Sequence, residues 1–252
     1  MNNDKFTNLG VQLVSYCKKF NIPLEYLFEI LEDQKVTPMI RGKAMEYNVY
    51  LVLEQYLSRT VWSVQKLNLN AQTGMTDEDV SITHRRTGII LKVESKSAVR
   101  GSISDGKRTR IHKVPHFKVK CHRSRSNISL AGTSNDRYSV DSFDVIITTS
   151  ENAIYQGNTV GGHLEIVHKK GIKPFLFNHY GVDNAKDLIN ICQSDWRFCI
   201  PSDIAEGGFI PRTPYVLLAE DPNWRPLNEL EDRLLKIVKK KWNKNNQKDR
   251  RS

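Results

Sequence analysis

The sequence feature that most constrains the fold is a pair of apolar, β-branched runs separated by four polar residues. The first run covers residues 79–82 and begins with an acid, and the second covers residues 89–96 and ends in Glu-Ser-Lys. The tetrapeptide between them, residues 85–88, ends in glycine. Polar punctuation of this kind between two strand-forming runs predicts a β-hairpin.

A four-residue loop fixes the register of the two strands. Residue 84 then pairs with residue 89, and counting back along both strands places Asp79 opposite Glu94. Directly opposed residues have Cβ atoms ~5 Å apart. Side chains alternate along a strand, so Glu94 and Lys96 share a face. The hairpin is therefore predicted to bring two carboxylates and an ammonium group into one small volume.

Paired carboxylates at this spacing suit Mg²⁺, which takes oxygen ligands and is usually held through one or two carboxylates. We expect Asp79 and Glu94 to bind the metal, with the carbonyl of Ser95 as a further ligand. Lys96 is expected to hold the attacking water or the phosphate as a point charge. Such a centre stabilises the negative charge that develops during phosphodiester hydrolysis.

Two further assignments at this site depend on the register and on a neighbouring helix. If the loop is one residue longer on one side, Asp77 or Asp144 becomes the second ligand in place of Asp79. A helix predicted from about residue 41 to residue 57 carries Glu46 beside its apolar stripe. We expect Glu46 to support the site, although an isolated glutamate on a helix is ordinarily a surface residue.

Hydrophobic periodicity predicts helices at both ends of the chain and strands between them. The predicted helices cover residues 5–20, 22–34, 41–57, 187–192 and 227–242, with a helix start at 202–205. The predicted strands cover residues 61–64, 79–82, 89–96, 116–122, 143–149, 164–167, 175–177 and 215–218. The strand at 143–149 is apolar and β-branched, which predicts burial on both faces. This order predicts an α/β (α+β) fold with a central mixed β-sheet flanked by helices.

The positive charge of the chain is concentrated in two segments. The formal net charge is +10. Residues 100–125 hold nine Lys and Arg against Asp105, and residues 236–252 hold eight against Asp249. Clustered positive charge indicates a polyanion-binding surface. We expect the first segment to bind DNA and the basic tail, residues 236–252, to be a disordered end.

Several residues of the first basic segment have the side chains that contact DNA phosphates and base edges. The candidate DNA-binding residues are Arg100, Lys118, Lys120, His122, Arg123, Arg125 and Asn127.

No apolar run approaches the ~18 residues of a membrane span, and the N-terminus lacks the order of a signal peptide. Four cysteines without paired spacing indicate reduced thiols. These features predict a cytoplasmic protein that does not contact a membrane.

Asp79 followed after a hairpin by Glu94-Ser95-Lys96 resembles the motif of the PD-(D/E)xK nuclease superfamily. Residues 41–46 resemble the upstream helix that supplies these nucleases with a further acid. The basic stretch 117–125 followed by the buried run 143–146 is similar to the layout of type II restriction endonucleases. The residue before Asp79 is Glu78 rather than the proline of the motif.

This resemblance implies a single nuclease domain over residues 1–252 with a restriction-endonuclease-like core. Residues 1–36 are expected to be the N-terminal helical part of this domain. It implies a Mg²⁺-dependent, sequence-specific endonuclease that cuts double-stranded DNA in a bacterial or archaeal cell. A homodimer and a DNA methyltransferase acting on the same site are the expected partners. The alternatives are a repair or junction-resolving nuclease of the same fold and a non-catalytic nucleic-acid-binding protein.

Overall fold

The computed structural model describes residues 3–33, 35–66, 79–107, 113–122, 136–157, 164–166 and 171–249. The chain divides into two compact units. The smaller unit takes Met1–Lys43 and Gly157–His163, and the larger unit takes Ala44–Gln156 and Leu164–Ser252. The helical part predicted at residues 1–36 lies within the smaller unit. The single nuclease domain over residues 1–252 stays a prediction.

Apart from α4, the described helices follow the predicted order, with shifts at their ends. Their bounds are α1 Asn3–Lys19, α2 Leu27–Glu32, α3 Thr37–Tyr56, α4 Ile172–Tyr180, α5 Ala185–Ser194, α6 Pro201–Ile204 and α7 Leu230–Asp249. Helix α1 ends where Asn21 adopts a left-handed conformation, with φ of 52°. The amide of Ile22 then donates to the carbonyl of Cys17 at 2.8 Å, which satisfies a terminal carbonyl of the helix.

The described strands form a central sheet and two small sheets. Their bounds are β1 Trp62–Lys66, β2 Val80–His84, β3 Ile90–Ser95, β4 His116–Lys118, β5 Val145–Thr149, β6 Tyr155–Gly157, β7 Leu164–Ile166, β8 Trp196–Cys199, β9 Tyr215–Leu217 and β10 Arg225–Pro226. The central sheet has six strands in the order β1-β2-β3-β5-β8-β10, and the small sheets pair β4 with β9 and β6 with β7. Strands β3 and β5 are parallel, and the other central neighbours are antiparallel. The prediction of a mixed central sheet flanked by helices is confirmed.

Strand β5 separates two hydrophobic cores, because its side chains alternate between the two faces of the sheet. Val145 and Ile147 pack into one core with residues of α3 and α7, including Leu53 and Leu234. Ile146 packs into the other core with residues of α4, α5 and β9. All five residues of β5 are buried, as its sequence predicted. Burying an aliphatic side chain of this size stabilises a fold by ~1.5–3 kcal/mol.

The β2–β3 hairpin has the register that its loop length predicted. Val80 pairs with Val93 and Thr83 with Ile90, which places residue 84 opposite 89 and residue 79 opposite 94. The loop closes through the amide of Gly88, which donates to the carbonyl of His84 at 2.9 Å. The φ of +68° at Gly88 favours glycine at this position.

Two predicted segments differ from the structure. Residues 175–177, predicted as a strand, lie inside α4, where Ile172 and Leu176 are the buried residues, one turn apart. A run of three apolar residues is too short to distinguish a strand from a buried helical turn. Residues 236–242, predicted both as the end of a helix and as the start of a disordered tail, lie in α7, which continues to Asp249 and whose Val238 is buried. Residues 250–252 lie outside the described part.

No helix within the described ranges is long and apolar enough to cross a membrane.

Candidate functional site

Asp79 lies immediately before β2 and is held by the last residue of β3. Its Oδ2 atom accepts hydrogen bonds from the backbone amide of Ser95 at 2.9 Å and from the Ser95 hydroxyl at 2.6 Å. Glu94, the residue opposite Asp79 in the register, is 2% exposed. The hairpin therefore gathers these residues at one end of the sheet, and Ser95 fixes the orientation of the Asp79 carboxylate through both its donors.

The environment of Asp79 disfavours the ionised carboxylate. Burial raises its pKa above the usual value, the hydrogen bonds from Ser95 lower it, and the negative charge of Glu46 raises it further. The net direction is upward. A carboxylate whose pKa is raised by burial and by a like charge is stabilised in its ionised form by a nearby cation. Glu46 of helix α3 is thus within electrostatic reach of Asp79, and its supporting role at the site stays a prediction.

Lys96 forms an ion pair with Oε1 of Glu94, and both side chains are largely buried. Its Nζ atom also lies over the ring of Tyr138, 4.9 Å from the ring centroid. Burial alone would lower the pKa of Lys96, but Glu94 and Tyr138 outweigh it and raise the pKa above the usual range. Lys96 is therefore an ammonium group at neutral pH, suited to holding an anion and unsuited to removing a proton.

Lys66 is a second buried lysine at this site, and no pattern in the sequence predicts it. Its Nζ atom lies 2.8 Å from Oε2 of Glu46, and the two side chains are 8% and 14% exposed. Lys66 ends β1 and is paired with Val80, the residue that follows Asp79. From the sequence alone, a lysine at the end of a half-exposed strand is interpreted as a solvated residue. The pairing of β1 with β2 is what places Lys66 next to the start of β2.

The residues that the sequence predicts to hold Mg²⁺ are Asp79 and Glu94, which lie opposite each other in the register of the hairpin. Mg²⁺ needs only one or two carboxylates because it retains water ligands, and its binding here stays a prediction. In the part of the chain that the structure describes, no three His, Cys, Asp or Glu side chains form a complete metal cluster. A centre here would thus depend on water or on phosphate oxygens for its remaining ligands. The carbonyl of Ser95 as a ligand stays a prediction.

Of the two alternative ligands, one has a different role and the other lies outside the described residues. Asp144 accepts a hydrogen bond from the Lys92 amide at 2.9 Å and pairs with Lys241 of α7 at 2.7 Å. These contacts tie the start of β5 to β3 and to α7. Asp77 lies in the range 67–78, outside the described residues. The register leaves Asp79 as the residue opposite Glu94.

The predicted DNA-binding residues fall into two groups. Strand β4 and its extension pair with the segment directly after Lys96: the Val99 amide donates to the Lys118 carbonyl at 2.7 Å, and the Lys120 amide donates to the Ser97 carbonyl at 3.1 Å. Lys118 lies over the ring of Tyr215 at 5.2 Å, while Lys120 and Arg100 are exposed and His122 is half-buried. Arg123, Arg125 and Asn127 lie outside the described residues.

No protein-family model matches the sequence, and no curated protein matches it. Among solved structures, the chain is similar to a bacterial homing endonuclease, I-Ssp6803I, with a TM-score of 0.27 and 18% sequence identity. The match covers 44% of this chain and 60% of that chain. The matched part is therefore less than two thirds of that protein.

Proposed function

We propose that this protein is a Mg²⁺-dependent endonuclease that hydrolyses phosphodiester bonds in double-stranded DNA, as a type II restriction enzyme does. The observation that carries the proposal is the register of the β2–β3 hairpin. It brings Asp79, Glu94 and Lys96 together at the end of the sheet, with Glu46 within electrostatic reach. The resemblance of these residues to the PD-(D/E)xK motif supplies the reaction class.

Asp79 and Glu94 are the residues that would hold Mg²⁺, which on binding supplies an activated water and stabilises the developing phosphate charge. Ser95 fixes the orientation of Asp79 through its amide and hydroxyl. Glu94 and the ring of Tyr138 fix the ammonium group of Lys96. Lys96 then binds the attacked phosphate or orients the water by charge alone, since its raised pKa keeps it protonated.

The basic residues near the site support DNA as the substrate. Main-chain hydrogen bonds fix Lys118 and Lys120 beside the segment that follows Lys96. A phosphate backbone that meets these lysines passes close to the hairpin, so positioning and cleavage use one continuous surface. We propose Arg100, His122, Arg123, Arg125 and Asn127 as further contacts.

A homodimer accords with this function, because a two-fold symmetric site is matched by a two-fold symmetric protein. The described part of the N-terminal unit carries many exposed apolar side chains, among them Phe6, Leu9 and Phe28, of which Phe28 is 72% exposed. Exposed apolar surface of this kind marks interaction sites. A DNA methyltransferase acting on the same site would protect the host DNA in a restriction system.

The test is cleavage of a long unmethylated DNA with Mg²⁺ by the wild type, by Lys96→Ala and by Lys241→Met. Discrete, reproducible fragments are expected from the wild type. Lys96→Ala should lose at least about a hundredfold in rate, since it removes a charge that acts on the transition state. Lys241→Met removes the lysine of the ion pair at Asp144 and should cleave as the wild type does.

The other outcomes separate the alternatives. Cleavage confined to branched or damaged DNA would indicate a repair or junction-resolving nuclease. DNA binding without cleavage, unchanged in Lys96→Ala, would indicate a non-catalytic nucleic-acid-binding protein.

A further inference from the structure

One face of α1 exposes large apolar side chains at heptad spacing. Successive members are three, four, three and four residues apart, and each is between 43% and 55% exposed: Phe6, Leu9, Leu13, Tyr16 and Phe20. Alternating steps of three and four residues are the a and d positions at which two helices pack in a coiled coil. We call these five residues the α1 seam.

The α1 seam is separate from the side of the helix that is buried in its own chain. Cys17 is 1% exposed and Val14 is half-buried, and both lie outside the heptad steps. Within the seam, the rings of Tyr16 and Phe20 contact each other, with centroids 4.7 Å apart. A helix that buries one side and exposes a second apolar stripe of this length has a surface suited to another helix.

The positions that flank the α1 seam carry little charge. Between Phe6 and Phe20 the flanking e and g positions of the heptads are Gly10, Gln12, Cys17 and Lys19. Charged flanks select a partner helix of opposite charge, and here Lys19 alone is charged. The seam therefore suits a helix with the same apolar steps and nearly neutral flanks, and a second copy of α1 is such a helix.

The exposed area of the α1 seam is substantial for a dimer contact. An aromatic side chain buries ~150–250 Å² when it is covered completely. Phe6, Tyr16 and Phe20 are each 54–55% exposed, so covering them would bury about 250–400 Å² per copy. A standard interface buries ~800 Å² per partner. Leu9 and Leu13 add to the aromatic area, so the seam supplies a large share of what a stable dimer needs.

We propose that the α1 seam is the surface on which a second copy of this chain docks, with α1 of one copy packed against α1 of the other. The choice of partner rests on the proposed function, because cutting both strands of a duplex takes two hairpin sites and one copy contributes one Asp79–Glu94–Lys96 site. A contact between identical faces closes as a two-fold dimer.

The experiment is sedimentation velocity of the full chain over a range of concentrations, in EDTA and without DNA. The wild type should be a dimer. Leu13→Glu, at the centre of the seam, should raise the dimer dissociation constant at least about a hundredfold, because it buries an unpaired carboxylate from each copy. Val11→Glu is the matched control, since Val11 is 65% exposed on the same helix but outside the seam, and it should dimerise as the wild type does.

Leu9→Glu provides a second seam variant if Leu13→Glu does not fold, and circular-dichroism melts check the folding of each variant. Leu9 is 51% exposed, and the same rise in the dissociation constant is expected. A wild type that is monomeric at every concentration would overturn the inference. Folded seam variants that dimerise as the wild type does would also overturn it, as would an equal loss of dimer in Val11→Glu.

Dimerisation and cleavage can fail separately. A wild type that dimerises through the α1 seam but cleaves no DNA would keep this inference and overturn the proposed function. A monomeric wild type that cuts duplex DNA with Mg²⁺ would keep the proposed function and overturn this inference alone.

Discussion

Asp79 is the residue at which opposing interactions meet. Burial and the charge of Glu46 raise its pKa, and the donors of Ser95 lower it. Because the pKa in the folded state is above the unfolded value, the ionised carboxylate destabilises the fold in the absence of a cation. This cost is fully present above the folded pKa and disappears as the pH falls below the unfolded value of about 3.9.

Asp79→Asn should therefore leave the metal-free protein at least as stable as the wild type at neutral pH. The amide keeps an acceptor for Ser95 and removes the buried charge. The difference should shrink as the pH falls through the folded-state pKa and disappear below the unfolded value of about 3.9, where the wild-type carboxyl is protonated in both states. Urea midpoints in EDTA at pH 7.5 and pH 4 measure this, with exposed Asp141→Asn as the control. A variant less stable than the wild type at pH 7.5 would contradict the prediction.

The site residues predicted from the sequence are those that lie close to one another along the chain, on a single hairpin. Asp79, Glu94 and Lys96 belong to one hairpin, and the length of its loop relates their positions by counting. Lys66 lies on β1, which is separated from β2 by residues 67–79 without short turn punctuation, so its register with Asp79 had no sequence signal. Tyr138 was missed for a similar reason, because its contact with Lys96 spans a long separation in sequence.

Among the elements, strand β5 holds β3 and the Lys96 backbone in place through main-chain hydrogen bonds. Its pairing with β3 is parallel, and the carbonyl of Ile147 accepts the amide of Lys96 at 2.9 Å. Its continuous apolar, β-branched sequence identified it correctly as buried on both faces. The segment at 175–177 was assigned wrongly because three apolar residues fit a strand and a helical turn equally well. The burial of Ile172 and Leu176, four residues apart, shows the helical periodicity.

Ile147→Ala should lower the free energy of unfolding by about 2–5 kcal/mol, because it leaves a cavity in a core where the side chain is fully buried. Ile90→Ala, at a 57% exposed position on β3, should cost less than about 0.5 kcal/mol. Equilibrium urea unfolding of both variants measures the difference. Equal losses would mean that β5 does not lie between two cores.

For the whole molecule, the net charge of +10 is less informative than its distribution. The basic segment next to Lys96 is ordered in part as β4 and its extension, and the other basic segment is largely the exposed face of α7. The sequence predicted where the charge is concentrated. It predicted a helix over residues 227–242 but not that the helix continues through the basic residues to Asp249, because a lysine-rich helix and a lysine-rich tail have the same composition.

DNA affinity of this protein should fall steeply with salt, because bound lysines and arginines release counterions from the phosphates. Lys120→Ala should reduce the slope of log K against log salt by about 0.9, the value for one phosphate contact. Lys173→Ala, which removes an exposed lysine on α4, should leave the slope unchanged. Fluorescence anisotropy with a labelled duplex measures both, and an unchanged slope in Lys120→Ala would remove this residue from the DNA contacts.

The hairpin loop also limits how natural variants of this chain can diverge. A single insertion that shifted the pairing of β2 with β3 would turn Ile82 and its neighbours from the core to the opposite face and separate Asp79 from Ser95. Exchanges of loop residues carry no such cost, apart from Gly88 with its positive φ. Among descendants that keep the activity, we expect the spacing between these acids to be inherited more faithfully than the residues that fill it.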